Sequence, residues 1–183
     1  DIVDEDLSAV AGRHVGEALS DLRAPLGVIG VIGNHEHIGG LAPAIEFLTT
    51  HNVQILRDEV IKVRDDICIV GREDSHHGRT VRRPLPELMS QVDTRFPVIV
   101  VNHEPRDLAE TAALGADVEL SGHAHNGQLW PWNYLVLAFY DVKYGYRRIG
   151  NMQVYVTSGA ATWGPPVRIG TSPEIVDITL RFK

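Results

Sequence analysis

Cysteine is nearly absent from this chain: of 183 residues, only Cys68 carries a thiol. One thiol can form neither an internal disulfide nor a thiolate zinc cage, and its setting in Ile67-Cys68-Ile69-Val70 is that of an apolar strand residue. The redox compartment is left open. Long apolar runs are missing too, and no stretch approaches the ~20 residues needed to span a bilayer. No signal peptide and no initiator methionine opens the sequence. Repeats, low-complexity tracts and any linker that would divide the chain are likewise absent. Positive charge is in deficit, with 17 Lys and Arg against 24 Asp and Glu and a net charge of −7. That balance argues against nonspecific or stable binding to nucleic acid.

What is present suits one globular domain over residues 1–183, since 44% hydrophobic residues are enough for a sizeable core. Asp6 caps a run of apolar residues at helical spacing from Leu7 to Leu22, ending before Pro25. Leu26–Ile32 reads as a buried strand stopping at Gly33, and Leu41, Ile45 and Leu48 mark a second helix ending near His51-Asn52. Short strands follow at Val53–Leu56, Val60–Val63 and Ile67–Val70, then a polar loop from Gly71 to Arg83. A helix over Leu85–Val92 precedes the strand Pro97–Val101, and Leu108–Leu114 is helical before the buried strand Val118–Leu120. Gln128–Arg148 is aromatic-rich with few clear periods, and Met152–Thr157 and Ile175–Leu180 read as closing strands. Helices and strands that alternate in this way predict a layered α/β fold.

Residues able to bind metal stand directly after buried strands. Ile32-Gly33 leads into Asn34-His35-Glu36, Val101 into Asn102-His103-Glu104-Pro105, and Leu120 into Ser121-Gly122-His123-Ala124-His125. In sheets flanked by helices, ligand sites form at the carboxyl ends of strands, where loops converge on one edge. Each instance alone has an ordinary structural reading. Gly-Asn is common turn chemistry, a histidine can pack on a sheet edge, and two histidines at i and i+2 can point outward. Yet glycines flank the His123–His125 pair and allow a tight turn that brings both imidazoles toward one point.

These three stretches, together with Asp1-Ile2-Val3-Asp4, resemble the calcineurin-like metallophosphoesterases. Asp1-Ile2-Val3-Asp4 is similar to the tail of their Gly-Asp-x-x-Asp motif, Gly33-Asn34-His35-Glu36 to Gly-Asn-His-Asp/Glu, and Asn102-His103-Glu104 to the single-histidine motif. Ser121-Gly122-His123-Ala124-His125-Asn126-Gly127-Gln128 resembles the Gly-His-x-His signature. Val156–Gly159 and Gly164–Arg168 look like a bacterial branch whose members often carry an N-terminal membrane anchor. The resemblance implies two mainly mixed β-sheets flanked by helices, and two divalent ions such as manganese, iron or zinc. Asp1 would bridge them, Asn34, His103 and His123 would complete one site, and His125 would bind the other ion. His35 would face the scissile phosphate as general acid or transition-state stabiliser, Glu36 would orient that imidazole, and Asn126 and Gln128 would line the pocket.

The ligand chemistry agrees with that reading. Carboxylate, amide oxygen and imidazole suit such ions, and the lack of thiolates argues against a purely structural zinc. Two ions about 3.5–4 Å apart can hold a hydroxide that attacks phosphorus in line in a phosphodiester or phosphomonoester. The family's opening Asp-x-His motif has no counterpart, so a strand bearing it is expected upstream of Asp1, and membrane contact is expected only through such an upstream segment. Arg72-Glu73-Asp74-Ser75-His76-His77 reads as solvated loop, with Asp74 and His76 not reaching the metals. Beside the hydrolase stands a second reading, a non-catalytic binding module on the same fold.

Overall fold

The structure, a computed structural model, describes residues 1–11, 14–64, 66–75, 78–136 and 138–181. The periodic run after Asp6 forms two helices, α1 (Leu7–Ala11) and α2 (Val15–Asp21), not one. His14 lies between them at φ 58°, and a left-handed residue cannot continue a right-handed helix. The apolar spacing survives the break because Val10, Val15 and Leu19 still face one core.

Strand β1 (Val28–Val31) runs parallel to β2 (Val53–Leu56). Parallel neighbours need a long crossover, here α3 (Asn34–Gly39) and α4 (Leu41–Thr50). Val3, Ile32, Ala44, Leu48 and Val53 fill the space between strands and helices. Helix α3 was not legible in its sequence, which reads as a turn.

The larger sheet has the order β3-β4-β5-β6-β8-β7. Strand β3 (Glu59–Lys62) is antiparallel to β4 (Cys68–Gly71). Strands β4, β5 (Val98–Val101) and β6 (Val118–Ser121) run parallel to one another. Near the far edge, β8 (Met152–Val156) is parallel to β6 and antiparallel to β7 (Gly145–Ile149). Helices α5 (Leu85–Met89) and α6 (Leu108–Ala113) contribute Leu85, Leu88 and Leu108 to its core beside Val70, Val98, Val100, Met152, Val154 and Val156. Burial of each such side chain is worth about 1.5–3 kcal/mol.

The expected α/β architecture of two sheets with helices is therefore present, the smaller sheet being parallel and two-stranded among the described residues. Residues 175–180 are not a strand: they lie near β6, β7 and β8 without joining the ladder, and Ile175 is exposed. The reading of Arg72–Asp74 as solvated is also overturned, since all three are buried in ion pairs and hydrogen bonds at the end of β4. His76 lies outside the described residues. Among the described residues no helix is long and apolar enough to cross a membrane.

Candidate metal centre

Glu36 determines where Asp1 sits. Its carboxylate accepts the N–H groups of Ile2 at 2.6 Å and Val3 at 2.9 Å through Oε1, and that of Gly33 at 2.8 Å through Oε2. Burial acts to raise the Glu36 pKa, and the main-chain N–H bonds from Val3 and Gly33 act to lower it. The opening residues are thereby pinned against the turn after β1. The approach is so close that a Cβ on Gly33 would lie 2.1 Å from Asp1 Oδ1, so only glycine fits. Asp1 Oδ1 then accepts the His35 N–H at 3.0 Å, and Oδ2 is aimed at His103.

Three strand ends meet at one atom. His103 Nε2 lies 3.1 Å from Asn34 Oδ1, 3.1 Å from Asp1 Oδ2 and 2.9 Å from His123 Nδ1. With Asn34 presenting its amide oxygen, at most one of these contacts can be a hydrogen bond, whichever imidazole carries the proton. The other two set lone pair against lone pair in a place where His103 is 8% exposed. Burial is the first cause that pushes His103 and His123 well below the ordinary imidazole pKa, so both rings stay neutral with lone pairs free for a cation. Asp1, His103 and His123 each offer a ligand atom within 4.8 Å of the others, and the Asn34 oxygen completes the set. One carboxylate, one amide oxygen and two imidazoles fit a borderline divalent ion.

Behind this cluster stands a residue to which sequence reasoning gave no role. Glu104, 4% exposed, places Oε1 3.4 Å from His123 Nε2, and its Oε2 accepts a short bond from Arg106 Nε. A carboxylate on the far nitrogen of a ligating histidine fixes its tautomer and ring orientation. The signal lay in the Asn-His-Glu run, whose glutamate received no role. Asp74 also acts on this centre, for its negative charge favours the protonated form of His103 against the effect of burial.

The remaining predicted residues are distributed around this group. His125 stands beside it on the same cavity but outside the cluster, with Nδ1 3.4 Å from Arg168 Nη2, and burial lowers its pKa to about 4. His35 lines the cavity, and its Nδ1 lies 3.2 Å from Asp4 Oδ1 and 3.8 Å from Glu5 Oε1. The expectation that Glu36 orients this ring is corrected: both Glu36 oxygens are occupied by main-chain N–H groups, and Asp4 is the carboxylate beside the imidazole. Gln128 does line the cavity, but its amide is committed to Trp163, accepting its N–H at 3.0 Å and donating to its carbonyl at 2.8 Å. Asn126 lies in the same turn, not among the residues lining that cavity. His123, His125, Asn126 and Gln128 all adopt positive φ, between 43° and 64°, and Gly127 lies at 76°. Left-handed backbone of this kind clusters where a site dictates geometry.

No family model matches the sequence. An uncharacterised metallophosphoesterase of Aquifex aeolicus (strain VF5) is 31% identical over 175 residues, which is 93% of this chain and 67% of the relative. One from Helicobacter pylori (strain J99) is 31% identical over 185 residues, covering 98% of this chain and 49% of its own length. A transmembrane protein with metallophosphoesterase domain from Danio rerio is 28% identical over 196 residues, or 99% of this chain and 44% of that protein. The chain thus spans about half the length of most of these relatives. Among solved structures, a Staphylococcus aureus protein provisionally described as a 5′-nucleotidase shares the fold, with a TM-score of 0.55 and 14% identity over 97% of this chain and 43% of its own.

Proposed function

This chain belongs to the metallophosphoesterase family, and from that premise we propose that it hydrolyses phosphoester bonds at the Asp1, Asn34, His103 and His123 cluster. The observation that carries the proposal is the meeting of three lone-pair donors at His103 Nε2, an arrangement that a cation resolves and a proton cannot. When bound, a divalent ion polarises phosphoryl oxygens and makes an attacking water more acidic. The chain's own residues do the rest. Glu36 and Gly33 hold Asp1 in place, Glu104 aims His123, and burial keeps both imidazoles neutral. His35, anchored at Nδ1 by Asp4, leaves its other nitrogen to protonate the departing oxygen or to stabilise charge on the phosphoryl group. A second ion beside the first, with His125 among its ligands, belongs to the same proposal, and phosphodiesters and phosphomonoesters are both suitable substrates.

The test uses the full-length protein with added manganese and bis(4-nitrophenyl) phosphate. Turnover that chelator abolishes and metal restores is expected. If no diester, monoester or nucleotide is cleaved with any divalent metal, the hydrolase reading falls and a binding module replaces it.

A further inference from the structure

The cavity that holds the metal-ligand cluster measures about 530 Å³, and its far wall is carbon. Leu129, Trp132, Leu135, Val136, Phe139 and Trp163 line it opposite Asp1, His35, His123 and His125. This wall is fixed to the ligand-bearing turn at several points. Helix α7 (Asn133–Val136) packs so tightly on Gly127 that a Cβ there would lie 2.3 Å from Asn133 Cα. The Gln128 side chain clamps Trp163, and Leu129 bridges to Ile169. Tyr140 closes the inner end, its ring edge-on to His123 at 6.0 Å and beneath the Arg106 guanidinium at 5.3 Å.

Trp132, Leu135, Phe139 and Trp163 nevertheless stay more than half exposed, with Phe139 at 73%. Apolar side chains left in water on one face of a cavity mark a ligand surface. Because Asp1, Asn34 and His123 share one cavity with the wall, whatever brings a phosphate to them lays its neighbouring group along these side chains. A sugar there would need directional partners, but the Gln128 amide is already spent on the Trp163 main chain.

We propose that the substrate is an amphiphilic phosphoester whose alkyl chain lies along the wall formed by Leu129, Trp132, Leu135, Val136, Phe139 and Trp163. This rests on the hydrolase reading above and adds the substrate class. The wall opens outward at Leu135 and Phe139, so chain length is limited by contact and not by a closed end.

A homologous series of 4-nitrophenyl alkyl phosphodiesters, methyl to octyl, tests it in the full-length manganese-loaded protein below micelle concentrations. The leaving group is constant, so the series isolates the wall. The expected result is a rise in kcat/KM of about twofold per methylene, less than full burial would give because the wall stays partly open to water. The rise should sit mainly in KM, and Leu135→Ala with Phe139→Ala should flatten the slope. Both side chains are more than half exposed, so folding is expected to survive and is checked by circular dichroism. Turnover that ignores chain length, or a nucleoside 4-nitrophenyl diester that outperforms the octyl ester, overturns the substrate class while leaving the hydrolase standing. Binding of alkylphosphonates from methyl to octyl, read by calorimetry, needs no turnover. Affinity that rises with length supports the wall even if the hydrolase reading fails, and flat affinity overturns it.

Discussion

Two polar clusters lie buried near the strand ends, and they are built on opposite principles. Under the loop after β4, buried charges are paired: Arg72 meets Asp58 at 2.7 Å, and Glu73 takes Arg57 at 2.5 Å and His37 at 3.0 Å. Asp58 also accepts main-chain N–H groups from Glu73 at 3.2 Å and Arg83 at 2.6 Å. In that cluster Asp58 and Glu73 are each met by donors among the described residues. Around His103 the reverse holds, since Asp1, Asn34 and His123 bring acceptors to a point with too few donors. A closed network holds shape, whereas an open one of this kind awaits a cation.

Paired substitutions break the comparison most directly. His103→Ala should abolish tight metal binding and turnover, yet cost little stability in metal-free protein, because it removes one party to a conflict. Asp58→Ala should do the opposite, stripping Arg72 of its partner and costing about 3–5 kcal/mol in denaturant unfolding. Metal affinity should be retained in the folded fraction. Calorimetric manganese titration and unfolding curves on both variants decide it, and equal stability losses would end the distinction between the clusters.

His35→Ala sharpens the picture inside the open cluster. Turnover should fall by about 10²–10⁴-fold with metal content unchanged, and less for good leaving groups such as nitrophenolate, which need little protonation. Metal loss equal to that of His103→Ala would move His35 among the ligands. Glu104→Gln probes the support behind them. It should weaken metal affinity by about 10–100-fold, with excess metal restoring turnover. Unchanged affinity would show that the Glu104–His123 contact does not aim the ring.

The smallest effect belongs to Glu119, which lies between the clusters and is joined through Asn102 to Arg82. Its Oε1 has weak partners in Asn102 and Ser121, both at 3.4 Å, whereas Oε2 has no hydrogen-bond partner among the described residues. Burial raises its pKa from 4.5 to about 7. The folded state therefore keeps a proton that the unfolded chain releases, so stability is lost as pH rises from about 4.5 through about 7. Glu119→Gln should be near neutral at pH 5 and stabilising by about 1–3 kcal/mol at pH 8, measured by unfolding at both values. A gain of the same size at both pH values would contradict the assignment.

The open cluster was easier to read in the sequence than the closed one. Asn34 and His103 follow β-branched runs and His123 follows the short strand Val118–Leu120, so strand ends together with the family resemblance placed them on one edge. The loop from Gly71 to Arg83 has no period, and the burial of Arg72 and Glu73 within it goes with ion pairs to Asp58 and Arg57, which are distant in the sequence. Charge composition suggested water there, and tertiary pairing reversed it. Glu36 shows the same limit in miniature. Its place beside His35 suggested a partnership, but a helix turns neighbouring side chains apart, and its carboxylate went to the main chain of residues 2, 3 and 33. Gln128, read as pocket-lining, lies in that lining, and its amide in addition clamps Trp163, a main-chain role with no signal in the sequence.

The left-handed turn from His123 to Gln128 behaves like a latch set before its bolt arrives. Four non-glycine residues hold positive φ there, at roughly 1–2 kcal/mol each, and Arg168 secures the turn by donating to the carbonyls of His125 at 3.3 Å and Ser158 at 2.7 Å. Ordering is thus completed when the chain folds and need not be repeated at each capture. The imidazoles carried on this turn are positioned by its backbone as well as by their own contacts.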